Sequence, residues 1–426
     1  MSNSFYRWVL CAALAAVVPL PSSAAEPQLL WKTNVGARVY TSPVVCDLLP
    51  SPGLEAVVCA SEERQVVCLS ATGQRLWSFG EGFSARLTST PSVADLDGDG
   101  RPEIVVAGGG GDAGANVVCL DAQGKQLWRA RLEGEVDWSA PVVADLDADG
   151  LPEITVGTRS GFVFCLSAHG AILWRVKLGD GASGLIAAAD VNGDGKKEVC
   201  AAAERTLFCL DSSGRTLWEA SSPTACNGAS IGDLDGDGAL EIVAAYDDQT
   251  LYRLDRDGRL VWAYHGGYSG GGATGFAPPC LGDLDGDGAL EIVVGDFNGG
   301  VRCLDSGGKE RWYVNFGRAI GDPPVVGDVD GDGEIEVVAG FEDGSLVCLN
   351  RTPAVEWRCM TDFRSPFPSL GDIDGDGRVE VLAASNDNSV YCLRAPGAGR
   401  AGRLPWPLRR HDLAQTGAVV ASPDYS

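Results

Sequence analysis

The sequence predicts an all-β fold, a single eight-bladed β-propeller of four-stranded antiparallel blades. Two phrases, one acidic and one ending in tryptophan, alternate along the chain. The tryptophans Trp77, Trp128, Trp174, Trp218, Trp262, Trp312 and Trp357 recur every 44 to 51 residues, the period of one blade. Each period holds four short apolar runs rich in β-branched residues and separated by Asp/Gly turns, and no helical periodicity follows residue 25. Short strands meeting at tight turns in this way stack radially.

The acidic phrase is clearest at Asp95-Leu96-Asp97-Gly98-Asp99-Gly100-Arg101-Pro102-Glu103. Oxygens at alternate positions and a glutamate at the ninth make a compact ring suited to a hard divalent cation, calcium before magnesium. The predicted ligand sets are Asp95, Asp97, Asp99 and Glu103; Asp145, Asp147, Asp149 and Glu153; Asp190, Asn192, Asp194 and Glu198; and Asp233, Asp235, Asp237 and Glu241. Three more follow: Asp283, Asp285, Asp287 and Glu291; Asp328, Asp330, Asp332 and Glu336; and Asp372, Asp374, Asp376 and Glu380. About seven calcium sites are therefore expected, the one with Asn192 weaker because a neutral oxygen replaces a carboxylate. An EF-hand is excluded, since its closing glutamate stands at position twelve, where the first copy has Val106. A degenerate copy at Asp47 keeps Glu55 but carries Leu49 and Ser51, and is expected to be metal-free.

The net charge of -25 has a local cause. Six loops with four carboxylates and one with three hold 27 of the 58 acidic residues. Seven divalent ions would leave about -11, so the acidity measures ion-binding capacity. It argues against nucleic acid as a partner.

Along the chain, residues 1–25 read as a signal peptide: Arg7, an apolar run from Trp8 to Val18, and Ser22-Ser23-Ala24-Ala25 before cleavage. Cys11 lies inside the apolar run and does not read as a lipid anchor, and no later stretch is long enough to span a bilayer. The expectation is an exported protein (secreted, periplasmic or on the cell surface). Residues 26–395 form the propeller, and 396–426 a tail packing on it. Leu29-Leu30-Trp31-Lys32 has no acidic loop before it, and the last repeat dissolves after Tyr391-Cys392-Leu393. The N-terminal strand is therefore expected to complete the eighth blade and hide an open sheet edge.

Seven of the fourteen cysteines (Cys68, Cys119, Cys165, Cys209, Cys303, Cys348, Cys392) share one position in the third strand and read as small buried residues. Cys59 with Cys68 and Cys200 with Cys209 each flank a hairpin at the same spacing and are the candidate disulfides, if each pair is directly opposite. No Cys-x-x-Cys pair is present. The three histidines, His169, His265 and His411, accompany no nucleophile elbow, zinc-protease helix or phosphate loop, so no catalytic residue is assigned.

Over nearly all of the mature chain, the Asp-x-Asp-x-Asp-Gly-x-x-Glu loops resemble FG-GAP/VCBS repeats, the calcium-bearing blades also found in integrin α-subunit heads. The Gly-Lys-x-x-Trp turns are similar to PQQ-like propeller repeats, whose tryptophans dock neighbouring blades. The tail Trp406-Pro407 to Thr416-Gly417 resembles a segment that often accompanies such propellers. These resemblances imply fold and calcium and leave function open. The expected function is a non-catalytic binding, adhesion or scaffold module for a glycan or protein ligand. The alternative is a calcium-dependent polysaccharide lyase or a PQQ-type quinoprotein oxidoreductase, although the adjacent cysteine pair of many quinoproteins is missing and no base constellation can be assigned.

A ligand would bind the face opposite the acidic loops, where connections differ between repeats. The candidates are Arg38, Arg86, Trp138, His265, Tyr268, Arg318 and Arg364, with Tyr40, Phe83, Asp137, Tyr264, Asp322 and Phe363 beside them. Several of these equally suit sealing the channel.

Overall fold

The computed structural model describes residues 26–109, 114–136, 139–179, 185–267, 275–320, 322–362, 364–397 and, in the tail, 404–405, 407–408, 411–412 and 415–419. The predicted signal peptide lies outside the described residues.

Eight sheets of four antiparallel strands follow one another along the chain as blades 1 to 8, covering residues 44–79, 92–132, 142–177, 186–221, 226–265, 280–315, 325–360 and 367–394, the last completed by 28–34. Blade 2 is representative, running Ser92–Ala94, Glu103–Gly109, Ala115–Leu120 and Gln126–Leu132. Its first strand is short because it lies nearest the ring axis. The middle strands are buried along their whole length, while the outer strand alternates exposed residues with half-buried or buried ones. The middle strands read as continuous apolar runs because a neighbouring blade covers each of their faces. The core is accordingly a ring of layers between blades. Val57, Cys68, Val106 and Val118 pack between blades 1 and 2, and Val105, Cys119, Ile154 and Phe164 between blades 2 and 3.

The tryptophans hold these layers. Trp174 Nε1 donates to Ser212 O of the next blade at 2.8 Å, and Trp31, Trp77, Trp128, Trp218 and Trp262 do the same across their own interfaces. Each ring also lies on a hairpin glycine of that next blade (Gly214 beneath Trp174), with φ near +81° and no room for a methyl group. Two interfaces depart from this pattern. The blade 7 hairpin has Pro353 in the glycine's place, and a cleft of about 390 Å³ opens beside Trp312. Trp357 is buried with its N–H unpartnered, because blade 8 has no such hairpin to meet it.

Blade 8 lacks that hairpin because it is built from both ends of the chain. The N-terminal strand Gln28–Asn34 pairs antiparallel with Ser389–Arg394, outside Glu380–Ser385 and Phe367–Gly371. The expected closure is what the structure shows.

The tail crosses the channel mouth. Leu370 of blade 8 donates to Pro407 O at 2.8 Å, Ala188 of blade 4 to Thr416 O at 2.9 Å, and Ile231 of blade 5 to Gly417 O at 3.1 Å. Ala418–Val419 adds a short parallel strand to Cys226–Gly232 of blade 5, and Leu408 packs with Val44 and Val93 of blades 1 and 2. Blades 4 and 8 face each other across an eight-membered ring, so the tail bridges its axis. All these contacts fall where the inner strands run into the acidic loops. The described tail residues therefore meet blades on both sides of the ring, on the loop side.

Candidate metal centres

Each acidic loop joins the first and second strands of its blade, so all lie on one rim. The first aspartate builds the loop. Asp95 Oδ1 accepts from the N–H of Gly98 and Asp99, and Oδ2 from that of Gly100. Gly98 and Gly100 hold φ of 76° and 82°, a left-handed backbone that glycine tolerates best. In the blade 3 loop a non-glycine, Ala148, takes the same region at φ 63°.

The ninth-position glutamate closes the loop from inside. Its Oε2 accepts from the N–H of the second loop residue in every copy: Leu96 to Glu103 (2.8 Å), Leu146 to Glu153, Val191 to Glu198, Leu234 to Glu241, Leu284 to Glu291, Val329 to Glu336 and Ile373 to Glu380. These glutamates are buried, and burial raises their pKa: Glu198 and Glu291 to about 7, and Glu336 to about 9, where Glu356, Asp330 and Asp332 add like-charge repulsion. A carboxylate so raised is one whose charge lacks compensation.

In the degenerate blade 1 copy, a hydroxyl answers the second oxygen of the closing glutamate. Glu55 keeps the same backbone bond from Leu48, and Ser51 donates to its Oε1 at 2.7 Å. In blade 7 no hydroxyl answers, and Glu336 Oε1 is buried without a hydrogen-bond partner. Glu291 Oε1 in blade 6 and Asp372 Oδ1 in blade 8 are likewise buried without a hydrogen-bond partner. Ligand oxygens within 4.8 Å of one another gather at Asp95, Asp97 and Asp99; at Asp145, Asp147 and Glu153; at Asp233, Asp235 and Glu241; at Asp283, Asp285 and Glu291; and at Asp328, Asp330 and Asp332. An all-oxygen donor set with an orphaned buried carboxylate oxygen fits a hard divalent cation. Blade 4 differs. Asn192 Nδ2 donates to Glu198 Oε1 at 2.8 Å, so the amide spends itself inside the loop.

Sequence reasoning missed four side chains that reach these loops. Arg253 pairs with Asp235 (2.6 Å) and Glu241 (3.2 Å) in blade 5. Arg311 pairs with Asp285 and with Glu291 (3.1 Å) in blade 6, and Arg394 with Asp374 (2.7 Å), Asp376 (3.0 Å) and Glu380 (2.8 Å) in blade 8. Glu356 comes near Glu336 in blade 7. The available signal was a break in the repeat. Arg253 stands where seven blades have cysteine, and Arg311 and Glu356 stand where others have leucine or valine before the tryptophan.

On the opposite rim, Arg38 and Arg86 share Glu62 at 3.8 and 3.7 Å, and Tyr40 hydroxyl also reaches it. Arg318 lies 3.8 Å from Asp343, where Arg358 also pairs. The Arg364 carbonyl accepts from Asn386 N–H. These residues belong to blades 7, 8, 1 and 2, one arc of the ring. His265 stands apart, bonded through Nδ1 to Thr250 Oγ1 of its own blade. Asp322 is buried and accepts from Ser42 at 2.8 Å, a sealing contact. Phe83 and Tyr264 are packed into core layers. Asp137, Trp138, Tyr268 and Phe363 lie outside the described residues.

One disulfide candidate is corrected. Cys59 faces Val66 and Cys68 faces Val57, so these two are two residues out of register and cannot bridge within that ladder. Cys200 and Cys209 are directly opposite, yet all thirteen described cysteines are free thiols. The shared cysteine lies beneath its loop, and burial with the nearby Glu103 raises the pKa of Cys119.

Residues 95–156 match the FG-GAP-like repeat, and residues 159–312 match the PQQ-type repeat family described as outer membrane protein assembly factor BamB. Within this eight-bladed propeller, residues 95–156 and 159–312 thus carry FG-GAP-like and PQQ-type repeats respectively. No curated protein matches the sequence. Among solved structures, the V. cholerae biofilm matrix protein Bap1 is 15% identical over 90% of this chain and 92% of its own, with TM-score 0.66. BamB from Moraxella catarrhalis is 17% identical over 88% and 100%, with TM-score 0.61. The exotype rhamnogalacturonan lyase YesX is 15% identical over 93% and 79%, with TM-score 0.60. At these identities the likeness concerns the fold. Among the described residues no helix is long and apolar enough to cross a membrane.

Proposed function

We propose that this is an exported binding or adhesion module without chemistry of its own, whose acidic rim holds calcium for stability and whose other rim binds a glycan or a protein. The difference between the two rims carries the reading. One mouth is crossed by the tail at Pro407, Thr416 and Gly417, while Arg38 and Arg86 stay largely exposed around Glu62 on the other. Arginines beside a tyrosine and a carboxylate suit hydroxyl-rich or acidic ligands, donating in fixed directions while the aromatic ring offers a face. Calcium would supply fixed positive charge to the loop carboxylates, among them Asp328, Asp330 and Asp332 in the loop that also holds the unpartnered Glu336 Oε1. Export agrees with the apolar N-terminal run and with an environment rich in calcium.

The test is a glycan and peptide array probed with the calcium-loaded mature chain and with R38A/R86A. The expected outcome is a defined class of hits that the double variant loses at least tenfold, with Tm unchanged because both side chains are exposed. Turnover of a polysaccharide, or quinone-dependent oxidation of a sugar or alcohol, would replace this reading with an enzymatic one.

A further inference from the structure

Three blades supply their own cation. We infer that Arg253, Arg311 and Arg394 stand in for calcium in blades 5, 6 and 8, so that ions are confined to at most four loops, those of blades 2, 3, 4 and 7. The inference rests on the calcium reading above and divides its seven sites.

The three arginines come from unrelated places and converge on the same two carboxylates of the loop. Arg253 rises from the third strand at the shared cysteine position and is itself buried. Arg311 comes from the outer strand just before Trp312, and Arg394 ends the third strand of blade 8, where other blades have serine, aspartate or asparagine. All three reach the third-position aspartate and the closing glutamate of their own loop: Asp235 and Glu241, Asp285 and Glu291, Asp374 and Glu380. Those two carboxylates are ligands a divalent ion needs. An ion entering such a loop must displace a guanidinium ion-paired with two of its ligands and hydrogen-bonded to at least one of them, and then sit beside a like charge.

The other loops contrast with these. Among the described residues, no lysine or arginine forms an ion pair with the ligand carboxylates of blades 2, 3, 4 and 7. Leu127 and Leu173 occupy the position of Arg311 in blades 2 and 3. Blade 7 inverts the charge altogether, with Glu356 at that position; Glu336 Oε1 is buried without a hydrogen-bond partner, as is Glu291 Oε1 of blade 6, but only in blade 6 does a guanidinium stand 3.1 Å away. Blade 7 is therefore the tightest site and blade 4, with Asn192 turned inward, the weakest.

The test counts ions per chain by native mass spectrometry in millimolar calcium, for the wild type and for R311Q and R394Q, whose side chains are less buried than that of Arg253. The expected count is no more than four in the wild type, with one more in each variant. Five or more ions in the wild type overturn the inference, as does a variant that folds but gains none. A wild type holding no ion would end the calcium reading itself. The arginines would then remain cation substitutes only if both variants acquired an ion the wild type lacks. Because the wild-type count alone can refute the inference, the test survives a variant that fails to fold.

Discussion

A glycine opposite a tryptophan decides whether two blades can touch. Gly214 has φ +81°, and a methyl group there would stand 2.7 Å from the Trp174 ring. G214A should therefore both strain the turn and push the ring off its hydrogen bond to Ser212. The expected cost is about 1–3 kcal/mol, the range for overpacking, read as a lower Tm by calorimetry. A wild-type Tm would mean that the ring carries little of the interface. The packing of the tryptophans between blades was legible in the sequence, because a residue type repeated once per blade at one position does one job, here at six of the eight interfaces. The arginines at the acidic loops were not. Arg253, Arg311 and Arg394 each occupy a different place in the repeat, so a reading built on periodicity treats them as noise. The same limit applies to Cys59 and Cys68, whose equal spacing to Cys200 and Cys209 conceals a register offset of two residues.

Strands and loops were easier to read than their surroundings. The orphan strand Gln28–Asn34 closes blade 8 because an apolar, tryptophan-bearing segment at one end of the chain matches a blade lacking its fourth strand at the other. Removing residues 26–35 should leave Ser389–Arg394 as an exposed edge and strip Trp31 from the blade 1 hairpin, where it donates to Ala71. The expected result is loss of a single cooperative transition and formation of soluble aggregates, followed by calorimetry and size-exclusion chromatography. A monomer with one sharp transition would show that the ring closes without its clasp. The tail was harder to foresee. Its route depends on which backbone groups the inner strands leave unpaired at Ala188, Ile231 and Leu370, and an alternating pattern of side chains does not report that.

At the scale of the whole ring, the acidic loops make stability a matter of charge. The chain carries -25, with its largest concentrations on one rim, and the buried glutamates closing the loops are pushed towards protonation by desolvation and by their neighbours. Two separable forces follow. Ion binding to the folded form alone stabilises by roughly 1.4 kcal/mol for each tenfold excess over its dissociation constant, summed over occupied sites. Repulsion among unfilled loops is long-ranged and screened over about 8–10 Å at physiological salt. Excess chelator at low ionic strength should therefore lower Tm by ten degrees or more, and half-molar sodium chloride should recover only part of that loss. Salt screens one rim's charge from its surroundings, but it cannot supply a ligand to Glu336 Oε1, which is buried without a partner. If salt alone restored the full Tm, the loops would be acting as a diffuse charge and not as coordination sites. If neither chelator nor salt moved Tm, the loops would owe their geometry to the backbone bonds that Asp95 and Glu103 already make, as Glu55 and Ser51 do in blade 1.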